Sequence, residues 1–97
     1  AFSPTDLVAT ALGSCMVSIM GIKSSDLDID LKDSKVSVTK IMQSEPRKIA
    51  KIEVILDMSI ETSDKNKTIL ERAAMTCPVL LSLNSDIEKE VIFNWKN

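Results

Sequence analysis

The chain has 97 residues, of which 44% are hydrophobic and 27% charged, and a net charge of −2. That size suits one small domain spanning residues 1–97, and that composition excludes a disordered tail. The lysines are scattered and the aromatics are only Phe2, Phe93 and Trp95, so neither a basic block nor a base-stacking platform points to nucleic acid.

The first predicted element is a helix from Pro4 to Lys23. Ser3 suits its N-cap, Pro4 its first position, and Asp6 completes a capping-box pattern. Leu7, Val8, Ala9, Ala11, Leu12, Cys15, Met16, Val17, Ile19, Met20 and Ile22 cover nearly every direction of this helix. A helix apolar all round must be covered all round, by a second helix, a second subunit or further residues. The apolar run from Leu7 to Ile22 is shorter than the about 20 residues of a transmembrane helix. No basic n-region precedes it, so neither a membrane nor an export signal is expected, and the location read from this is cytoplasmic. In a reducing cytosol a disulfide is transient and catalytic rather than structural.

Strands follow. Lys35 to Met42 is rich in β-branched residues, Leu27 to Leu31 is expected to extend the same ribbon, and Gln43 to Pro46 reads as a turn. From Lys51 to Ile60 the alternation places Ile52, Val54, Leu56, Met58 and Ile60 on one side, as in a half-buried antiparallel strand. A second helix starts near Ser63 or Asp64 and carries Ile69, Leu70, Ala73, Ala74 and Cys77 at helical spacing. Pro78 must kink or restart it. A last strand, Glu88 to Lys96, sets Val91, Phe93 and Trp95 on one face.

Cys15 and Cys77 are the only cysteines, and histidine is absent. If the fold joins them they form a dithiol; if not, they are two small core residues. Cys15 sits about three turns into its helix, beyond the reach of the helix dipole. Its activation therefore needs a cation, and the only arginines are Arg47, read as a solvated strand-end residue, and Arg72, read as a surface residue of the second helix. Cys77 becomes an N-cap if Pro78 restarts the helix, and backbone N–H groups then favour its thiolate. Asp6 reads first as a helix cap, with a catalytic carboxylate as the alternative. Met16 and Met20 beside Cys15 read as core filling rather than a soft-metal site. Met75-Thr76-Cys77 cannot open a metal-chaperone loop, because the position three residues after Cys77 is Leu80.

The run Ser3-Pro4-Thr5-Asp6-Leu7 through Ala11-Leu12-Gly13-Ser14-Cys15 resembles the central helix of the OsmC/Ohr family, the osmotically inducible and organic hydroperoxide resistance proteins. Pro46 through Val54 resembles the family's long strand, and Ala73-Ala74-Met75-Thr76-Cys77-Pro78-Val79 with Ser82-Leu83 its second cysteine helix. The resemblance implies an α+β fold. A central apolar helix and a second, kinked cysteine helix pack on an antiparallel sheet in an intertwined homodimer. It implies thiol-dependent reduction of organic hydroperoxides, with Cys15 peroxidatic and Cys77 resolving. A small dithiol or protein thiol serves as reductant, and no metal, flavin or haem is implied. Thr5 stands where peroxidase members carry glutamate, and Asp6 is one step later; both are read as supporting residues, Asp6 orienting an activating arginine. That arginine and the family's N-terminal strands have no counterpart in these residues. The substrate pocket is expected from Leu12, Met16, Val79 and Leu80, which favour apolar peroxides. The alternative is a non-catalytic dimeric binding or structural module of the same fold.

Overall fold

Ser3 and Asp6 start the first helix by capping each other. The Ser3 hydroxyl accepts from the Asp6 N–H at 3.2 Å, and the Asp6 carboxylate accepts from the Ser3 N–H at 3.3 Å. Each satisfies a donor that the first turn would otherwise leave orphaned. The computed structural model describes residues 3–96, so Phe2 lies outside it. Its elements are α1 (Pro4–Asp26), β1 (Lys35–Ser44), β2 (Arg47–Met58), α2 (Asp64–Met75), α3 (Pro78–Ser82) and β3 (Glu88–Trp95).

Helix α1 runs on to Asp26 rather than stopping at Lys23. The buried Ser24 turns its hydroxyl back to the Gly21 carbonyl at 2.8 Å, and the Leu27 N–H bonds to the Lys23 and Ser24 carbonyls. The next residues do not extend a ribbon as expected. Asp28 takes φ 58°, the left-handed region that a short polar side chain tolerates, and the chain turns. Leu27, Ile29 and Leu31 instead pack on the core from this loop. At its full length α1 is long and apolar enough to cross a membrane, contrary to the shorter run expected. Here it carries the core: Leu12 and Met16 are completely enclosed and Met20 almost so.

The sheet has the order β1-β2-β3 and is mixed. β1 pairs antiparallel with β2, Val38 opposite Val54, and β2 pairs parallel with β3, Val54 opposite Val91. The expectation of an antiparallel sheet therefore holds for the hairpin only. The α2–α3 crossover returns the chain to enter β3 in the direction of β2, as parallel pairing requires. Alternation of side chains reports which face a residue takes, not the direction of its strand.

One irregularity shapes β2. Ile41 pairs with Lys51 but Met42 pairs with Ile49, leaving Ala50 as a bulge. The extra residue reverses the parity of the strand. Ile49 is thus buried on the same side as Ile52, Val54, Leu56 and Met58. On the outer face Lys51 holds Glu90 at 2.8 Å, Glu88 at 3.2 Å and Glu53 at 3.3 Å, which ties β2 to β3.

Helix α1 lies on the inner face at Gly13. A Cβ there would stand 2.5 Å from Cγ2 of Val38, so only glycine allows this approach. Helix α2, capped by Ser63, packs beside α1 through Leu70 and Ala74. Trp95 of β3 donates its indole N–H to Glu71 of α2 at 2.8 Å and lies beneath the Lys67 ammonium. The chain covers α1 on one side only. Leu7 is 55% exposed and Ile22 66%, with Val8 and Val17 also open, so the all-round cover expected of this helix is not supplied by its own fold.

Candidate functional site

Pro78 places Cys77. Helix α2 closes at Thr76, and Pro78 can neither donate to a continuing helix nor leave its predecessor helical. Cys77 takes φ −66° and ψ 145° and becomes the N-cap of α3. Its sulfur accepts the Leu80 N–H at 3.4 Å. The residue is fully enclosed, within the cluster formed by Leu12, Met16, Leu70 and Ala74.

Cys15 comes to it from α1. Leu12 and Met16 bury the adjoining directions of that helix, and Cys15, half-buried, packs at the edge of the same cluster. Both cysteines are free thiols. Burial pushes the Cys77 thiol above its ordinary value. The Leu80 N–H pulls it down, and the Cys15 thiol alongside adds to the rise. The Cys15 side chain thus lies close enough to act on the Cys77 thiol.

The four residues read as a pocket divide. Leu12 and Met16 are sealed in the core, while Val79 and Leu80, in the first turn of α3, are half-buried. Cys15, Val79 and Leu80 are the half-buried members of this neighbourhood. A separate apolar cavity of about 100 Å³ lies between the later half of α1 and the sheet, lined by Val17, Met20, Leu56 and Met58 among others, away from both cysteines.

Thr5 and Asp6 form a different cluster. The Lys40 ammonium lies 3.1 Å from the Asp6 carboxylate and 3.3 Å from the Ser3 hydroxyl, and donates to the Thr5 hydroxyl as well. Lys40, foremost, and then Ser3 hold the Asp6 carboxyl below the ordinary aspartate range. Asp6 precedes Cys15 by about 13 Å of helix at 1.5 Å per residue. The cluster therefore anchors the start of α1 rather than touching the thiols. Asp6 holds a lysine where an arginine was sought. Arg47 lies exposed at the hairpin and Arg72 exposed on α2.

Sequence reasoning missed Lys40, although a signal existed. Val36, Val38, Lys40 and Met42 share one parity on β1, so the lysine stands in the row that faces α1. A cation in an apolar row needs a partner, and the Asp6 carboxylate in the first turn of α1 supplies one.

A family model described as OsmC-like protein matches residues 1–91. A search of curated proteins found no match. Among solved structures, the chain is similar to an osmotic stress induced and detoxification response protein from Psychrobacter arcticus. The two share 42% identity and a TM-score of 0.92, over 97% of this chain and 69% of that one. It is similar in fold to an OsmC-like protein from Mycoplasma pneumoniae, with 15% identity, a TM-score of 0.84, and coverage of 100% of this chain and 74% of that one. The organic hydroperoxide resistance protein OhrB of Bacillus subtilis also shares the fold, at 14% identity and a TM-score of 0.72, over 97% of this chain and 71% of that one. With the match extending over nearly its whole length, the chain belongs to the OsmC-like protein family.

Proposed function

We propose that this protein reduces organic hydroperoxides with Cys15 as the attacking thiol and Cys77 as the resolving one. The observation that carries this reading is that both cysteines of the chain pack on one core cluster, where α1 contacts α3. The Cys15 thiolate attacks the terminal peroxide oxygen. The O–O bond breaks, Cys15 becomes a sulfenic acid, and the alkoxide takes a proton to leave as the alcohol. The Cys77 sulfur then attacks the sulfenic sulfur, and its proton departs with the hydroxyl as water. A small dithiol or protein thiol returns both cysteines to the thiol state, oxidised in exchange. The half-buried Val79 and Leu80 suit an apolar alkyl group beside Cys15, with Leu12 and Met16 as the wall behind it. Thr5 and Asp6 support the site by fixing the start of α1 through Lys40. The exposed apolar face of α1 supports a homodimer, and the reducing cytoplasm suits a dithiol that must be regenerated.

Thiol titration before and after one equivalent of cumene hydroperoxide tests this. Loss of both thiols together, with release of cumyl alcohol, is the expected outcome. Two unreactive thiols would favour a non-catalytic dimeric module, a reading that draws on the complete enclosure of Cys77.

A further inference from the structure

Glycine weakens a helix interior, yet α1 holds Gly13 and Gly21. Gly13 is explained by Val38, which leaves no room for a methyl group. Gly21 has no such reason, because a Cβ there would meet nothing within 4 Å. Gly21 instead borders the apolar cavity of about 100 Å³ between α1 and the sheet. With Leu31 it also borders an open groove along residues 28–32, so groove and cavity meet at these two residues. Side chains of a helix lean toward its N-terminus. Any side chain at position 21 would therefore lie over the turn of Val17, which lines the same cavity. The buried Met20, Leu56 and Met58 form the walls behind this mouth. The Ser34 hydroxyl in the lining is already engaged: it accepts the Ser59 N–H at 3.1 Å and lies 3.3 Å from the Ser59 hydroxyl. Lys35 enters the lining at the start of β1, on the parity opposite to the inward Val36 and Val38. The interior thus offers hydrocarbon and thioether surface.

We propose that this cavity is a binding site for a small uncharged apolar molecule, the size of one aromatic ring or a short branched alkyl group, which enters past Gly21. Close-packed interiors leave few voids larger than a water molecule. An apolar cavity stays dry and accepts an apolar guest, and one of about 150 Å³ holds benzene. The guest is held by contact with Val17, Met20, Leu56 and Met58 and needs no hydrogen bond from the protein. Asp28 and Asp30 outnumber Lys32 along the groove outside, which disfavours an anion at the mouth. An occupied cavity adds to the packing of α1 on β2. The site is separate from the thiols and does not depend on peroxide turnover.

The test is a benzene titration of the reduced full chain with its methionine methyl groups labelled for NMR. The methyl resonances of Met20 and Met58 should shift and saturate, while that of Met16, sealed beside Cys77, should stay in place. The melting temperature should rise with benzene concentration, as for any ligand that binds only the folded state. Val17→Phe fills the cavity from the helix, and Gly21→Leu covers its mouth. Both variants should remain folded and lose the saturable shift. If circular dichroism shows that Val17→Phe unfolds the protein, Gly21→Leu carries the comparison, since its side chain enters open space. Met20 and Met58 resonances that do not move, or that move without saturating up to the aqueous solubility of benzene, would overturn the proposal. So would a folded variant that keeps the wild-type response, or a shift centred on Met16, which would place the benzene beside the cysteines.

Discussion

Lys40 and Asp6, one on the first strand and one in the first turn of α1, meet at 3.1 Å and fasten the sheet to the start of the central helix. The Asp6 carboxylate also closes the capping box with Ser3, so one side chain serves both the helix and the tertiary contact. Its carboxyl is held low, which fixes the sign of the pH effect. A group whose folded ionisation is lowered stabilises the fold above its ordinary value near 3.8 and ceases to do so as pH falls through the folded value. Asp6→Asn should therefore lower the melting temperature at pH 7 and match the wild type in strong acid. Melting curves by circular dichroism across that range check this. A difference that persists in strong acid would assign the effect to the cap alone.

Gly13→Ala sets two effects against each other. Alanine favours a helix over glycine by about 1 kcal/mol. Here its methyl would press Val38 at 2.5 Å and Val36 at 3.3 Å, both stiff β-branched side chains. Overpacking of this kind costs about 1–3 kcal/mol, so net destabilisation is expected. Urea unfolding reads the sign. Adding Val38→Ala should recover part of the loss, and a more stable single variant would mean that the helix can shift away from the sheet.

Cys77→Ser separates the two oxidation steps. It should allow the first and stop the second, leaving a sulfenic acid on Cys15 that dimedone labels after peroxide. Turnover should cease. Robust turnover without Cys15, or label elsewhere, would reverse the order of attack proposed here.

Leu7 is 55% exposed on the open face of α1 and lies outside the core. Leu7→Glu should leave the monomer fold intact and break the proposed homodimer, whose interface should exceed about 1,000 Å². Sedimentation at micromolar concentration reports it. A wild-type chain that sediments as a monomer would remove the dimer.

Much of this architecture was legible in the residues because local rules agreed with one another. Ser3, Pro4 and Asp6 set the start of α1, and the parity of Ile52, Val54, Leu56 and Met58 set the inner face of β2. Pro78 gave Cys77 its place at the head of α3. What escaped was decided by tertiary partners. The direction of β3 depends on where the crossover returns the chain, and no pattern within the strand encodes that. Ser24 lengthened α1 through a hydroxyl bond to its own backbone, although serine clusters usually read as helix ends. The partner of Asp6 was hidden because Lys40 lies on a different element and its role emerges only when α1 is laid on β1.

The bulge at Ala50 has a consequence for how the chain tolerates change in length. The strand already contains one residue more than regular pairing with β1 needs. Removing Ala50 would join Ile49 to Lys51 in plain alternation, with Ile49 still facing inward and Lys51 outward. The hairpin tip can thus lose one residue without exchanging a core side chain for a surface one, and the loss would fall on local twist. A deletion between Ile52 and Met58 has no such reserve, and there a single missing residue would turn part of the buried row of β2 to the outer face.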